Sequence, residues 1–347
     1  LAIPNPIPLV DPVTRAVLPL SMAVSFKKKW VGFELVSGHY SIQVRAMSDP
    51  MLNFLICPET GTNPPATRRV AYWQWGSETA THTVVCVHGL TRQGRDFDVL
   101  ARALVERSGG NIRVVCPDVA GRGHSDWLKD PMAYQIPTYA GDMLALLVHL
   151  KPQTLDWVGT SMGGLIGMAV CAHAPSVGTQ VRRLVLNDVG PVIQWQSLVR
   201  IGTYLGQHMQ FASLQQAADA MWTISSSFGP HTPAQWLELS SHMVKLEPGG
   251  NGQVRLHYDP SIATAFKSVT QESAAQGEAI MWSLYDAITA QTLLVRGAQS
   301  DLLSIATASL MTQRGPQAKL VEFEGVGHAP TLIAQDQLDA VCGFLLK

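Results

Sequence analysis

The chain has 347 residues, 46% of them hydrophobic and 15% charged, with a formal net charge of −1. This is the balance of a globular protein long enough to bury a large core, and it supplies no field to collect phosphates, so nucleic acid is not expected as a partner. Its five cysteines (Cys57, Cys86, Cys116, Cys171, Cys342) have no C-x-x-C spacing, and two lie in apolar runs, which reads as free thiols in a reducing compartment.

In chain order, "AVLPLSMAV" (16–24) is apolar, but its basic cluster "KKK" (27–29) follows the run, whereas a signal peptide places positive charge first. No apolar run reaches the roughly 18 residues of a spanning helix. A cytoplasmic protein with no membrane partner is therefore expected. Residues 1–46 show no organised pattern and are set apart as an N-terminal extension. "RVAYWQW" (69–75) alternates like an early, half-exposed strand. "TVVCVHG" (83–89), "RVVCPDV" (113–119), "TLDWVG" (154–159), "RRLVLNDV" (182–189), "QTLLVRG" (291–297) and "KLVEFEG" (319–325) are near-continuous β-rich runs of buried strands. Residues 95–109, 138–150 and 162–174 have helical spacing between them. The alternation predicts a mostly parallel central sheet flanked by helices.

The rhythm breaks between Pro191 and about Ala287. Ser213 with Gln216 and Thr232-Pro233 with Gln235 look like capping boxes there, and Gly249-Gly250 offers a helix stop. The expected organisation is a core over 47–190 and 288–347 with a helical cap inserted over 191–287. The cap's tryptophans and methionines are expected to form its own core and, in part, an apolar pocket for which Trp222 and Trp282 are candidates.

"DWVGTSMGGLIGM" (156–168) places Ser161 in a G-x-S-x-G turn between a strand and a helix. The glycines leave room for a strained turn that lifts the hydroxyl above the sheet. A serine hydroxyl needs a base, and the base needs a carboxylate to hold its tautomer. In this arrangement the order is Ser, acid, His. Asp301 follows one buried strand and His328 the next, which makes them the expected acid and base. Asp188, in "LNDVGP", stands at the same sheet edge as a rival acid. The oxyanion donors are expected to be the backbone N–H groups of Met162 and of Leu90, in the loop after "VCVHG". His88 comes too early in the order to be the base and is assigned to bracing that loop. Arg92, beside the same loop, is a candidate for a substrate carboxylate, against the simpler reading of an ion-paired arginine. "DVAGRGHSDW" (118–127) does not match a phosphate loop, and the eleven histidines show no metal-ligand spacing, so neither cofactor nor metal is expected.

Together, "HGL", "DVAGRGHSD", "GTSMGG", "RGAQSDLL" and "GVGHAP", in that order from about residue 68 onward, resemble the α/β-hydrolase superfamily, specifically its cap-bearing bacterial members. The resemblance implies Ser161 as nucleophile, His328 as base and Asp301 as acid. Epoxide hydrolases and dehalogenases of the superfamily carry aspartate at the elbow, so Ser161 argues against both. Carbon–carbon hydrolases usually have further glycines where this chain reads "HGLTRQGRDF", which favours an ester. The expected function is that of a cofactor-free serine carboxylesterase acting on a small or medium ester. Carbon–carbon or lactone hydrolysis and a ligand-sensing receptor are the alternatives, and the oligomeric state is left open.

Overall fold

Consecutive residues of the run 84–87 point to opposite faces of a sheet. Val85 and Val87 join one apolar cluster, while Val84 and Cys86 join another. A strand that is apolar on both sides belongs at the centre of a sheet covered on both faces, and that is its place in this computed structural model. Residues 49–59 and 66–347 are described, with the backbone of a hairpin in which Glu34–Val36 pairs antiparallel with His39–Ser41. The apolar run 16–24, read as no signal peptide, and most of the extension expected over 1–46 lie outside the described residues.

Eight strands make the main sheet: β1 (Met51–Glu59), β2 (Ala66–Trp75), β3 (His82–Val87), β4 (Ile112–Pro117), β5 (Thr154–Thr160), β6 (Val181–Asn187), β7 (Gln291–Gly297) and β8 (Lys319–Phe323). Their spatial order is β1-β2-β4-β3-β5-β6-β7-β8. Strands β3 to β8 are parallel, β2 runs against β4, and β1 closes the edge antiparallel to β2. Strand β1 is not anticipated by the sequence reading, because an edge strand with Pro58 and exposed Phe54 and Ile56 lacks a buried run's signature. Helices α1 (Asp98–Arg107), α2 (Ile136–Leu150) and α3 (Met162–His173) fall where the spacing predicts them.

Between β6 and β7 the chain builds α4 (Trp195–Tyr204), α5 (Leu214–Ser225), α6 (Pro233–Ser241), α7 (Ile262–Lys267) and α8 (Gln271–Asp286). Ser213 caps α5, and Thr232 with Gln235 forms a reciprocal capping box at α6, with Pro233 at the first helical position. Gly249-Gly250 is not a helix stop: it lies between Val244–Leu246 and Val254–Leu256, which pair antiparallel and are joined by Gln210–Phe211 in a small sheet. Such two- and three-residue strands are too short to leave a period in the sequence. The insertion has its own apolar cluster, including Phe211, Met221, Trp236 and Met243, yet Ser48–Lys347 forms one compact unit. The chain then runs through α9 (Ile305–Met311) to α10 (Gln335–Leu345). Helix α1 packs beside α10, and α2 and α8 pack against α3. All five cysteines are free thiols, and no helix of the described residues is long and apolar enough to cross a membrane.

At the amino end of the central strands, fully buried Asp156 accepts hydrogen bonds from His82 at 2.7 Å and from Arg182 at 2.9 and 2.5 Å. Burial alone would raise its pKa, but these donors outweigh it and hold the carboxyl below the usual range. A depressed carboxylate contributes stability above the unfolded pKa of about 3.9 and loses it as pH falls through the folded value. Asp156→Asn is expected to cost about 3 kcal/mol at neutral pH. In urea unfolding the gap to wild type should narrow at acid pH. Equal unfolding midpoints at pH 7 would contradict it.

Candidate active site

Strand β5 ends at Thr160 and α3 begins at Met162, so Ser161 alone makes the turn. It sits at φ 52°, ψ −119°, a conformation that an L side chain rarely adopts. The turn closes tightly because a Cβ on Gly159 would run into the backbone of Gly163 and Gly164, and one on Gly163 into the carbonyl of Val87. The Ser161 N–H donates to the Asn187 carbonyl at 2.9 Å and its carbonyl accepts from Gly164 at 2.8 Å. With the backbone tied down in this way, the hydroxyl is fixed at the carboxyl edge of the sheet.

The side chain of His328, from the loop after β8, reaches that hydroxyl: Nε2 lies 3.0 Å from Ser161 Oγ. Its Nδ1 lies 2.7 Å from Asp188 Oδ2. Asp188 is fully buried and also accepts from the Gly297 N–H at 2.9 Å and the Ser300 hydroxyl at 2.6 Å. Donors on both oxygens hold this carboxylate in one orientation. Accepting from Nδ1–H leaves Nε2 of a neutral imidazole as the acceptor for the serine proton. The insertion helps to hold the histidine loop, since the Ser227 carbonyl accepts from Gly327 N–H at 2.5 Å and the Ser227 hydroxyl donates to the His328 carbonyl at 3.2 Å.

Asp301, expected as the partner of His328, is not placed there. Its carboxylate is 49% exposed and pairs with Arg200 of α4 at 2.6 Å, while its carbonyl accepts from Ser197. The reason lies in distance along the chain. Asp188 directly follows β6, and the β5–β6 register pairs Thr160 with Asn187, so Ser161 and Asp188 leave the sheet side by side. Asp301 comes four residues after β7 ends, where the loop has already turned toward α4. The position of the rival acid at the very end of its apolar run was the usable signal.

Met162 is the first residue of α3, so its N–H is one of the donors that a helix N-terminus leaves unused. Leu90 lines the same pocket as Ser161. Two buried side chains brace the Leu90 loop. Nε2 of His88 accepts from the Val119 N–H at 3.0 Å, which leaves the proton on Nδ1 to be donated to the Gly89 carbonyl at 2.7 Å. Arg122, also fully buried, donates to the carbonyls of Leu90 and Ala120 and to the Tyr139 hydroxyl, and lies 3.6 Å from the sulfur of Met162. One guanidinium therefore touches both residues expected to give oxyanion donors. The sequence reading missed it, having weighed "DVAGRGHSDW" only as a phosphate loop and set it aside.

The pocket over Ser161 is walled half by the core and half by the insertion, which contributes Met209, Met221, Ile224, Phe228 and Met243 among others. Arg92 lines it as well, but Asp96 takes its Nε and Nη2 at 2.6 and 2.7 Å, which is the ion-paired reading. Neither candidate tryptophan lines it. Trp222 follows Met221, and a step of one residue on a helix turns the side chain away from the face that Met221 and Ile224 share. It packs on Trp236 and His231 instead. Trp282 belongs to α8, which packs on α3, and its ring carries the Arg314 guanidinium at 4.1 Å. Among the described residues, Asp98, Glu238 and His242 group their donor atoms within 4.8 Å, but Asp98 is already engaged by Arg95 and Arg102.

The profile of the Alpha/beta hydrolase family matches residues 84–342. A 3-hydroxybutyrate-oligomer hydrolase of Cupriavidus necator is 45% identical over 292 residues, covering 84% of this chain and 96% of that protein. The mouse sn-1-specific diacylglycerol lipase ABHD11 is 27% identical over 76% of this chain and 80% of its own length. The crystal structure of an alpha/beta hydrolase from Novosphingobium aromaticivorans, 33% identical, covers 86% of this chain and 99% of its own with a TM-score of 0.72.

Burial pushes the pKa of His88 down to about 4, so the folded protein holds it neutral. An unfolded histidine takes a proton near pH 6.5, so stability is lost as pH falls from about 6.5 to about 4, by on the order of 3 kcal/mol for this group. A glutamine amide can accept from Val119 and donate to Gly89 without that titration. His88→Gln should therefore lose less stability than wild type between pH 6.5 and 4 in denaturant melts. Parallel curves would contradict the neutral bracing role.

Proposed function

The chain belongs to the alpha/beta hydrolase family, and from that premise we propose that it is a serine hydrolase of short carboxylic esters, hydroxyacyl oligomers among them. What carries this is the unbroken hydrogen-bonded chain from Asp188 through His328 to Ser161 at the floor of an apolar pocket. The 45% identical relative named for 3-hydroxybutyrate oligomers supports the substrate class.

In this reading Ser161 Oγ attacks the ester carbonyl while His328 Nε2 takes its proton, and buried Asp188 stabilises the imidazolium that forms. The N–H groups of Met162 and Leu90 donate to the oxyanion, which builds only in the transition state, so their help goes to rate rather than to binding. His328 returns the proton to the departing alkoxide. Water, deprotonated by the same imidazole, then releases the acid from Ser161. Every proton transfer passes through groups of the chain itself.

Ser161→Ala is expected to fold and to lose measurable hydrolysis of p-nitrophenyl butyrate, since no acyl-enzyme can form. Asp188→Asn should lose on the order of 10⁴ in kcat by disturbing the histidine tautomer. Asp301→Asn, which breaks only an exposed ion pair, should stay within about threefold of wild type on this neutral ester. Steady-state kinetics of the three variants decide it. An inactive Asp301→Asn beside an active Asp188→Asn would reverse the assignment of the acid.

A further inference from the structure

The pocket over Ser161 is apolar along most of its wall, but two arginines line it, Arg92 from the core and Arg200 from α4. They differ in what holds them. Arg92 is gripped through Nε and Nη2 by both oxygens of Asp96, and Asp96 itself lines the pocket, so an incoming anion would meet a carboxylate beside the guanidinium. Arg200 gives one nitrogen to one oxygen of Asp301 at 2.6 Å, and the two side chains are 44% and 49% exposed. An exposed single-contact pair is worth only about 0–1 kcal/mol. Even with the Tyr204 hydroxyl beside it, most of the five N–H donors of Arg200 remain for a second carboxylate, which a guanidinium fork binds through both oxygens.

We propose that Arg200 binds the free carboxylate of the substrate, so that the pocket selects an apolar ester carrying an acid at its alcohol end. This rests on the hydroxyacyl-ester reading above. In a linear hydroxyacyl oligomer the free acid always lies on the alcohol side of the last ester bond, so holding it at Arg200 sets the last residue as the leaving group. Asp301 then serves as the resting partner of Arg200, which exchanges it for substrate at little cost because both are already in water. Asp301 acts through the guanidinium and takes no part in the chemistry. An apolar wall beside a single loosely paired cation suits such an amphiphilic chain better than a neutral triglyceride.

The test is the ratio of kcat/KM for internal-bond cleavage of the linear 3-hydroxybutyrate dimer to that of its methyl ester, resolved chromatographically. Arg200→Met should lower that ratio by about tenfold or more, the loss of one charge-assisted pair, with Arg200→Lys falling between. A ratio unchanged in Arg200→Met overturns the proposal, including the case in which Arg92→Met lowers it instead. If wild type cleaves neither form of the dimer but still turns over p-nitrophenyl butyrate, the hydroxyacyl substrate class fails and the proposal with it, while the serine-hydrolase reading stands. If Ser161-dependent turnover is absent on all three compounds, the hydrolase reading itself fails.

Discussion

Two adjacent parallel strands end on residues that the backbone would not choose. Ser161 follows β5 at φ 52° and Asp188 follows β6 at φ 54°, neither of them glycine. Each such residue costs of the order of 1 kcal/mol or more and persists only where its surroundings over-determine it. Here the sheet does so. The Ser161 N–H is taken by the Asn187 carbonyl, and the Asp188 N–H by the Val295 carbonyl at 2.8 Å, so each turn is locked onto the next strand outward. The register of β5, β6 and β7 thus sets the spacing of a hydroxyl and a carboxylate at one edge. His328 has only to swing between them.

The remaining elements follow from that edge. The chain leaves β6 through Asp188, beside Ser161, and the insertion that starts there lines the pocket over that serine before returning to the amino end of β7. It supplies half of the residues that wall the pocket and reaches back through Ser227 to the loop that carries His328. The loop after β7 binds both layers with neighbouring residues, Ser300 donating to Asp188 and Asp301 pairing with α4. The sheet therefore fixes Ser161 and Asp188, while the insertion walls part of the space above them. Opposite charges stay paired at the pocket rim, so its apolar interior is not burdened with an unpaired buried ion.

The meeting of Ser161 with His328 was legible because each stands in a short string whose neighbours demand one geometry: glycines on both sides of the serine, and a glycine before the histidine just past a strand. The carboxylate bonded to His328 was harder. Asp188 and Asp301 both follow apolar runs, and only the sheet register, which no one-dimensional pattern contains, shows that the first emerges beside Ser161 while the second is carried away to Arg200. Strands β3 to β7 could be read as buried runs; β8 was found as a strand but not as the buried one expected, since it is an edge strand in which only Phe323 is buried, and β1 was missed because its exposed edge face breaks the apolar pattern. Trp222 and Trp282 could be placed on helices but not on a face, since that depends on which side each helix packs. Arg122 was invisible for another reason: a buried cation satisfied by carbonyls and a hydroxyl has no acidic partner in sequence to point to it.

The central claim is that Asp188, and not Asp301, holds the Nδ1 proton of His328. Proton NMR of protein with 15N-labelled histidine observes that proton directly, as a strongly deshielded resonance coupled to the ring nitrogen. It should be present in wild type and in Asp301→Asn, and should be lost or moved far upfield in Asp188→Asn. A resonance that survives in Asp188→Asn and disappears in Asp301→Asn would contradict the account.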